Sequence, residues 1–353
     1  MYTKRIYSPK LMLWWTRYET LFFLGISTAA VLLYSVLEQR WAHIPWLPVA
    51  LVGTAVAFIL SFQNNAAYGR LWEARKIWGG IVNTSRVWGT MVKDFITNDF
   101  TDDKASAEEL GAIQRGLIMR HIAWLTALRH ALRQPRPWED FSRHRSNREW
   151  SDAMQVREHT RELVDELKSY VPEGECARVS GKANVPAQVL ALQSEQLREL
   201  RTRGLIDDFR HMEMQRVLVD LYGGQGKSER IKNFPYPRQY ATLNWLFMWI
   251  FVLLLPFGLV SAFDEMGQGL RETNPTLSDH FVWFTVPFST IVMWIFHTME
   301  RIGRVSENPF EGSANDVPIT TMARGIEIDL RQMIDEDPST IPGPIESRQD
   351  TQM

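Results

Sequence analysis

Four apolar runs interrupt an otherwise polar chain: residues 21–37 (LFFLGISTAAVLLYSVL), 46–62 (WLPVALVGTAVAFILSF), 245–263 (WLFMWIFVLLLPFGLVSAF) and 281–296 (FVWFTVPFSTIVMWIF). None holds a charged side chain, and each lies near the lower edge of the roughly 17–25 residues a helix needs to cross a bilayer. One such run alone also fits a buried soluble helix. Four of them, with Trp and Tyr near their ends, predict four transmembrane helices. The second run does not stop in a loop. It passes through Gln63, Asn64 and Asn65, and Leu71, Ala74, Trp78, Ile81, Val82, Trp88, Met91 and Phe95 then keep a helical period.

The long polar stretch between runs two and three exceeds any ordinary loop and predicts a helical domain. Further helices are expected at 106–132, 149–169 and 186–221, with breaks at Pro135, Pro137 and 174–181. Glu158, Glu162, Arg161 and Lys168 are read as lying on solvated faces of the second of these. No strand-like alternation is visible. From Glu336 onward, Pro and polar residues predict a flexible tail.

Charge then sets an orientation. Lys4, Arg5, Lys10 and Arg17 precede run one, Arg70, Arg75 and Lys76 follow run two, Arg230, Lys232 and Arg238 precede run three, and Arg301 and Arg304 follow run four. The connection at 39–45 has only Arg40, and 264–280 is acidic on balance, so both termini are expected in the cytoplasm. No small-residue cleavage site follows the first run, and a signal peptide is not expected. The formal net charge of -2 and the lack of a basic block argue against a nucleic-acid partner. A single cysteine, Cys176, excludes an internal disulfide and a multi-cysteine zinc site; in PEGECARVSG it reads as an inert surface thiol. Fourteen tryptophans strengthen the membrane reading.

Enzymatic chemistry finds no residues. His297 and Glu300 share a helix face, but two ligands do not hold zinc. No phosphate-binding glycine loop, nucleophile elbow or paired acids appear, so no catalytic residue, cofactor or metal is expected. The second run offers more. Thr54, Phe58 and Phe62 fall at i, i+4 and i+8 and form one narrow stripe, while Gly53, Ala55, Ala57 and Ser61 allow close helix approach. Helix packing explains such a stripe; so does the wall of a pore with a hydrophobic constriction that gates by dewetting. Four short crossings enclose little space, so a pore would need several copies around a ring axis.

Three blocks, 61–86 (SFQNNAAYGRLWEARKIWGGIVNTSR), 253–260 (LLLPFGLV) and 307–319 (ENPFEGSANDVPI), resemble the bestrophin family of ion channels, most closely its bacterial members. The likeness spans roughly residues 15–330. It implies an all-α membrane protein with four transmembrane helices and a large cytosolic helical domain, assembled as a homopentamer around a central pore. The expected divisions are a cytosolic N-terminal segment (1–20), transmembrane helices 1 and 2 (21–63), the cytosolic domain (64–238), transmembrane helices 3 and 4 (239–298), a cytosolic C-terminal segment (299–335) and the tail (336–353). The setting is the bacterial inner membrane, and the partners are other copies of the chain, monovalent ions and lipid.

By the same resemblance Phe62, Phe58 and Thr54 form the pore neck, and Gln63, Asn64 and Asn65 its exit. Thr54 departs from the aliphatic or aromatic residue usual at the outermost level, which implies a wetter or wider neck there. A cytosolic constriction falls on Ala187, after Pro186, or on Leu190 if the alignment shifts. Eukaryotic members carry a calcium clasp after NPF. Here only Asp316 remains of its acidic run, with Asn308 before it and Glu311 as a poor substitute. Calcium prefers six to eight oxygens, so the segment reads as a structural turn. Likeness to bacterial members favours cation over chloride permeability, with Asp264 and Glu265 near an outer end. An anion channel of the same architecture and a non-conducting scaffold with a cytosolic partner are the alternatives.

Overall fold

The structure, a computed structural model, describes residues 1–139 and 141–353, apart from the side chain of Ser142. Among the described residues it is helical, with isolated backbone bridges near the termini and no strands. Ser8 caps a short helix α1 (Pro9–Trp15), with Pro9 in the first turn where its missing N–H costs nothing. The first apolar run becomes α2 (Arg17–Val31), extended by a π-helical turn over Leu32–Val36. The second run opens α3 (Trp46–Phe95), an uninterrupted helix of 50 residues.

The middle of the chain folds as α4 (Ala107–Arg133), four short helices α5 (Arg145–Met154), α6 (Arg157–Thr160), α7 (Leu163–Leu167) and α8 (Glu173–Val179), then α9 (Val185–Thr202) and α10 (Asp208–Asn233). The last two apolar runs lie in α11 (Arg238–Gln268) and α13 (Thr285–Ser306), joined through α12 (Pro275–His280), and α14 (Ile319–Met333) follows. Four helical stretches, Arg17–Val36, Arg40–Phe95, Arg238–Gln268 and Pro275–Ser306, are long and apolar enough to cross a membrane.

Two cores form along α3. Its first half packs with α2, α11 and α13 around Phe23, Val56, Leu60, Met248, Phe251 and Met293. Close approach is possible because Gly53 faces Phe251: a Cβ there would stand 2.6 Å from the ring. The second half packs with α4, α10 and α14, and α9 packs on α4 and α10, around Trp78, Trp88, Trp124, Leu190, Leu218 and Ile326.

The expected helix at 186–221 is two helices. Gly204 takes φ +70°, Leu205 N–H returns to the Leu200 carbonyl, and Asp207 caps the next helix on Arg210 N–H. A side chain at Gly204 would meet the Phe100 carbonyl at 2.8 Å, so the turn also seats the chain end of α3. The expected helix at 149–169 is broken as well, by Gln155 in the left-handed region and by extended Arg161. Glu158 is not on a solvated face. It is buried against Arg129, whose other arm meets Glu166, while Arg161, Glu162 and Lys168 are exposed. Burial alone would raise Glu158, but Arg129 and Arg133 outweigh it and hold the carboxyl at about 2.

Cys176 is buried inside α8 rather than at the surface, because the glycine-flanked segment is helical and turns the thiol toward Ser180. The stretch after Glu336 does not trail away from the domain. Thr3 N–H bonds the Asp350 carbonyl at 2.8 Å, Gln352 N–H bonds the Met1 carbonyl at 2.9 Å, and Thr351 is buried. Backbone pairing with the first residues holds it, something its composition does not reveal.

Candidate functional site

The face of α3 that packs against neither core carries Thr54, Phe58, Phe62, Asn65, Gly69 and Trp72, all exposed. Phe58 is 64% and Phe62 71% exposed, on the side of α3 opposite the packed residues Gly53, Val56, Leu60 and Gln63. The three predicted neck residues therefore do share one open face, at the spacing the sequence gives them. Ala57 and Ser61 flank the stripe and border a shallow hollow with Gly53 and Phe296. Thr54 donates its hydroxyl proton to the Ala50 carbonyl at 2.9 Å. The hydroxyl oxygen keeps its acceptor lone pairs on the exposed face.

The three amides separate. Gln63 is buried, and its Oε1 accepts from Asn244 Nδ2 at 3.1 Å, tying α3 to α11. Asn64 donates to the Leu60 carbonyl at 2.8 Å and the Met299 carbonyl at 3.2 Å, bracing α3 against α13 where Gly303 leaves room. Asn65 alone shares the open face below Phe62. Gln63 is thus corrected from an exit residue to a strut, because an unpaired amide inside the bundle would forfeit its hydrogen bonds.

Of the two constriction candidates, Leu190 lies wholly inside the domain core, packed among the helices around Trp124. An enclosed leucine cannot narrow an open passage, so this alternative is corrected. Ala187 is half-buried in the first turn of α9, where Asn184 caps its N–H and Tyr222 donates to its carbonyl at 3.0 Å. Gln188 and Ala191 are the exposed positions beside it, which the spacing from Pro186 alone did not single out.

The loop after α13 is built on Asp316. One carboxylate oxygen accepts from Phe310 and Val317 N–H, and the other from Gly312 N–H and Arg133 Nη1, all at 2.7–2.8 Å. Phe310 and Gly312 adopt φ of +72° and +95°, which turns these N–H groups inward. The Phe310 ring, buried near Trp78, anchors that conformation. Protein donors occupy the carboxylate, and Asn308, buried nearby in sequence, contributes nothing to it: its amide atoms have no partner. The residues do not assemble a calcium cage, and among the described residues no cluster of three His, Cys, Asp or Glu side chains suits a metal ion. His297 instead packs edge-on against Phe23 and Trp249. Asp264, near the C-terminal end of α11, accepts from Tyr34 and Gln268 of its own chain.

Sequence reading missed the buried charges beside this loop. Lys232 pairs with Glu139, and Glu311 accepts from Phe141 N–H at 2.7 Å while its other oxygen is buried without a partner. Burial, reinforced by Glu139, pushes the Glu311 carboxyl up to about 8. The folded protein therefore holds a proton there that the unfolded chain releases near its ordinary value of 4.5. Stability contributed at this position falls as pH rises from about 4.5 to about 8, by at most about 1.4 kcal/mol per pH unit. Glu311→Gln is expected to flatten that slope in thermal melts across the same range; an unchanged slope would refute the assignment.

Comparison with known proteins gives a consistent answer. The chain is 28% identical over 303 residues to a voltage-dependent anion channel-forming protein of Ralstonia nicotianae, covering 83% of this chain and 82% of that one. It is 27% identical over 291 residues to another of that description from Escherichia coli K12, covering 82% and 77%. Its fold matches a bacterial bestrophin homologue from Klebsiella pneumoniae with a TM-score of 0.71 at 22% identity, over 91% of this chain and 99% of that structure. The pattern of the bacterial/fungal bestrophin proteins matches residues 16–268 and 275–332. With nearly the whole helical framework inside that match, the chain belongs to the bacterial/fungal bestrophin family.

Proposed function

We propose that this protein is the subunit of a homopentameric ion channel in a bacterial inner membrane, with both termini and the domain 64–238 in the cytoplasm. The carrying observation is the open face of α3, where Thr54, Phe58 and Phe62 stand exposed at membrane depth and Asn65 follows them below. Copies arranged around an axis would turn these faces inward and form a dry neck without a charged ring. Ala187, at the start of α9, is the candidate for the cytosolic narrowing.

The permeant ion is proposed to be an anion. The expected cation preference gains no support from the relatives, whose names describe anion channel-forming proteins. Its one structural motive is also weakened, since Asp264 is engaged by Tyr34 and Gln268. Reversal potential in asymmetric NaCl, measured on purified protein in planar bilayers, tests this directly. A reversal near the chloride equilibrium potential is expected. A reversal near that of sodium would overturn the anion assignment, and absence of current at verified incorporation would favour a non-conducting scaffold.

A further inference from the structure

A cavity of about 120 Å³ opens where α1 meets the end of α13 and the short helix α5. Its walls are Leu11, Trp14, Trp15, Trp150, Ile302 and Val305, with few polar groups among them. Apolar cavities of this kind stay dry and accept apolar matter. The position is that of a membrane interface: α1 directly precedes the first crossing, and Ile302 and Val305 continue the last one. Leu13 and Trp14 on α1 are exposed, as befits a short helix lying in the headgroup layer.

Two further observations point to an occupant with a polar head. Asn147 lines the cavity and is almost wholly buried. Its Oδ1 accepts from Trp15 Nε1 at 2.7 Å and Arg301 Nη2 at 3.2 Å, yet its Nδ2 has no acceptor. A buried donor left without a partner is costly and calls for one. Beside the cavity, the Arg17 guanidinium sits 4.4 Å from the Trp14 ring and 4.3 Å from Tyr18, and Arg145 lies 5.2 Å from Tyr18. Both arginines share one acid, Glu149, which leaves an excess of positive charge on this side.

We propose that this cavity is a phospholipid site: the first few methylenes of one acyl chain of an anionic membrane phospholipid enter between α1 and α13, and the Asn147 amide donates to an oxygen of its head. The loop residues Ala314 and Asn315 also border the cavity, and Tyr7 donates to Asn315 at 2.9 Å. The lipid would therefore touch the start of the Asp316 loop as well as the two membrane helices.

Native mass spectrometry of the full-length protein, stripped of lipid and then exposed to phosphatidylglycerol or phosphatidylcholine vesicles, tests the site. One phosphatidylglycerol per subunit is expected to survive detergent exchange, in preference to phosphatidylcholine. Ala314→Phe fills the cavity without touching the Asn147 bonds and should weaken retention roughly tenfold for every two methylenes it excludes. Asn147→Asp keeps the acceptors for Trp15 and Arg301, removes the donor and should lower phosphatidylglycerol retention selectively. Equal retention of both lipids, no retained lipid, or full retention by folded Ala314→Phe would each overturn the proposal.

Discussion

Phe62→Ala is expected to raise ion flux through reconstituted channels by about tenfold or more, which corresponds to about 1.4 kcal/mol off the barrier. Phe62 is exposed within its own chain, so truncating it removes little of the packing that holds α3 in place. What it removes is apolar bulk facing the proposed passage, which keeps that passage dry when narrow. Phe58→Ala, one turn away on the same face, should act in the same direction, and the pair together should exceed either alone. Gln63→Leu provides the contrast: it breaks a buried bond to Asn244 and should reduce the yield of folded protein instead. Flux from Phe62→Ala equal to or below that of the parent, at matched incorporation, would remove Phe62 from the neck.

Asp316→Ala is expected to be the most destabilising single change in the loop, costing about 3–5 kcal/mol. Its carboxylate accepts four hydrogen bonds, three of them from backbone N–H groups and one from the buried Arg133 guanidinium. Truncation would strand that charge where water cannot reach it and free Phe310 and Gly312 from the bonds that favour their positive φ values. The midpoint of thermal unfolding should fall sharply, and Asp316→Asn should fall between the two, since it keeps one acceptor and loses the charge. Adding calcium should shift none of these midpoints. A melt of Asp316→Ala indistinguishable from the parent would show that the loop stands without its centre.

The helical framework was legible because apolar residues recur along α3 from Trp46 to Phe95 with one period, whatever surrounds them. The stripe of Thr54, Phe58 and Phe62 followed from the same arithmetic. Partners distant in sequence were not legible. Gln63 looks like its neighbours Asn64 and Asn65 until Asn244 is brought beside it, and Leu190 looks as available as Ala187 until α4 and α10 close over it. Glu158 reads as a surface charge because its partner Arg129 sits on another helix, not three or four residues away. The turn at Gly204 had a signal, a glycine followed by a capping aspartate, and reading it would have divided 186–221 correctly.

The continuity of α3 has a mechanical meaning. Fifty residues make a rod of about 75 Å. The only proline in it, Pro48, stands in the first turn, where it does not kink the rod. At its far end Gly89 lies directly under Leu330 and Met333 of α14, with no room for a methyl group. α14 packs on that end of the rod, and no break in the helix separates the contact from the level of Phe62, many turns away. Tilting the α14-bound end of a rod this long is expected to move the exposed rings of Phe58 and Phe62 by leverage, without remodelling the helix that carries them.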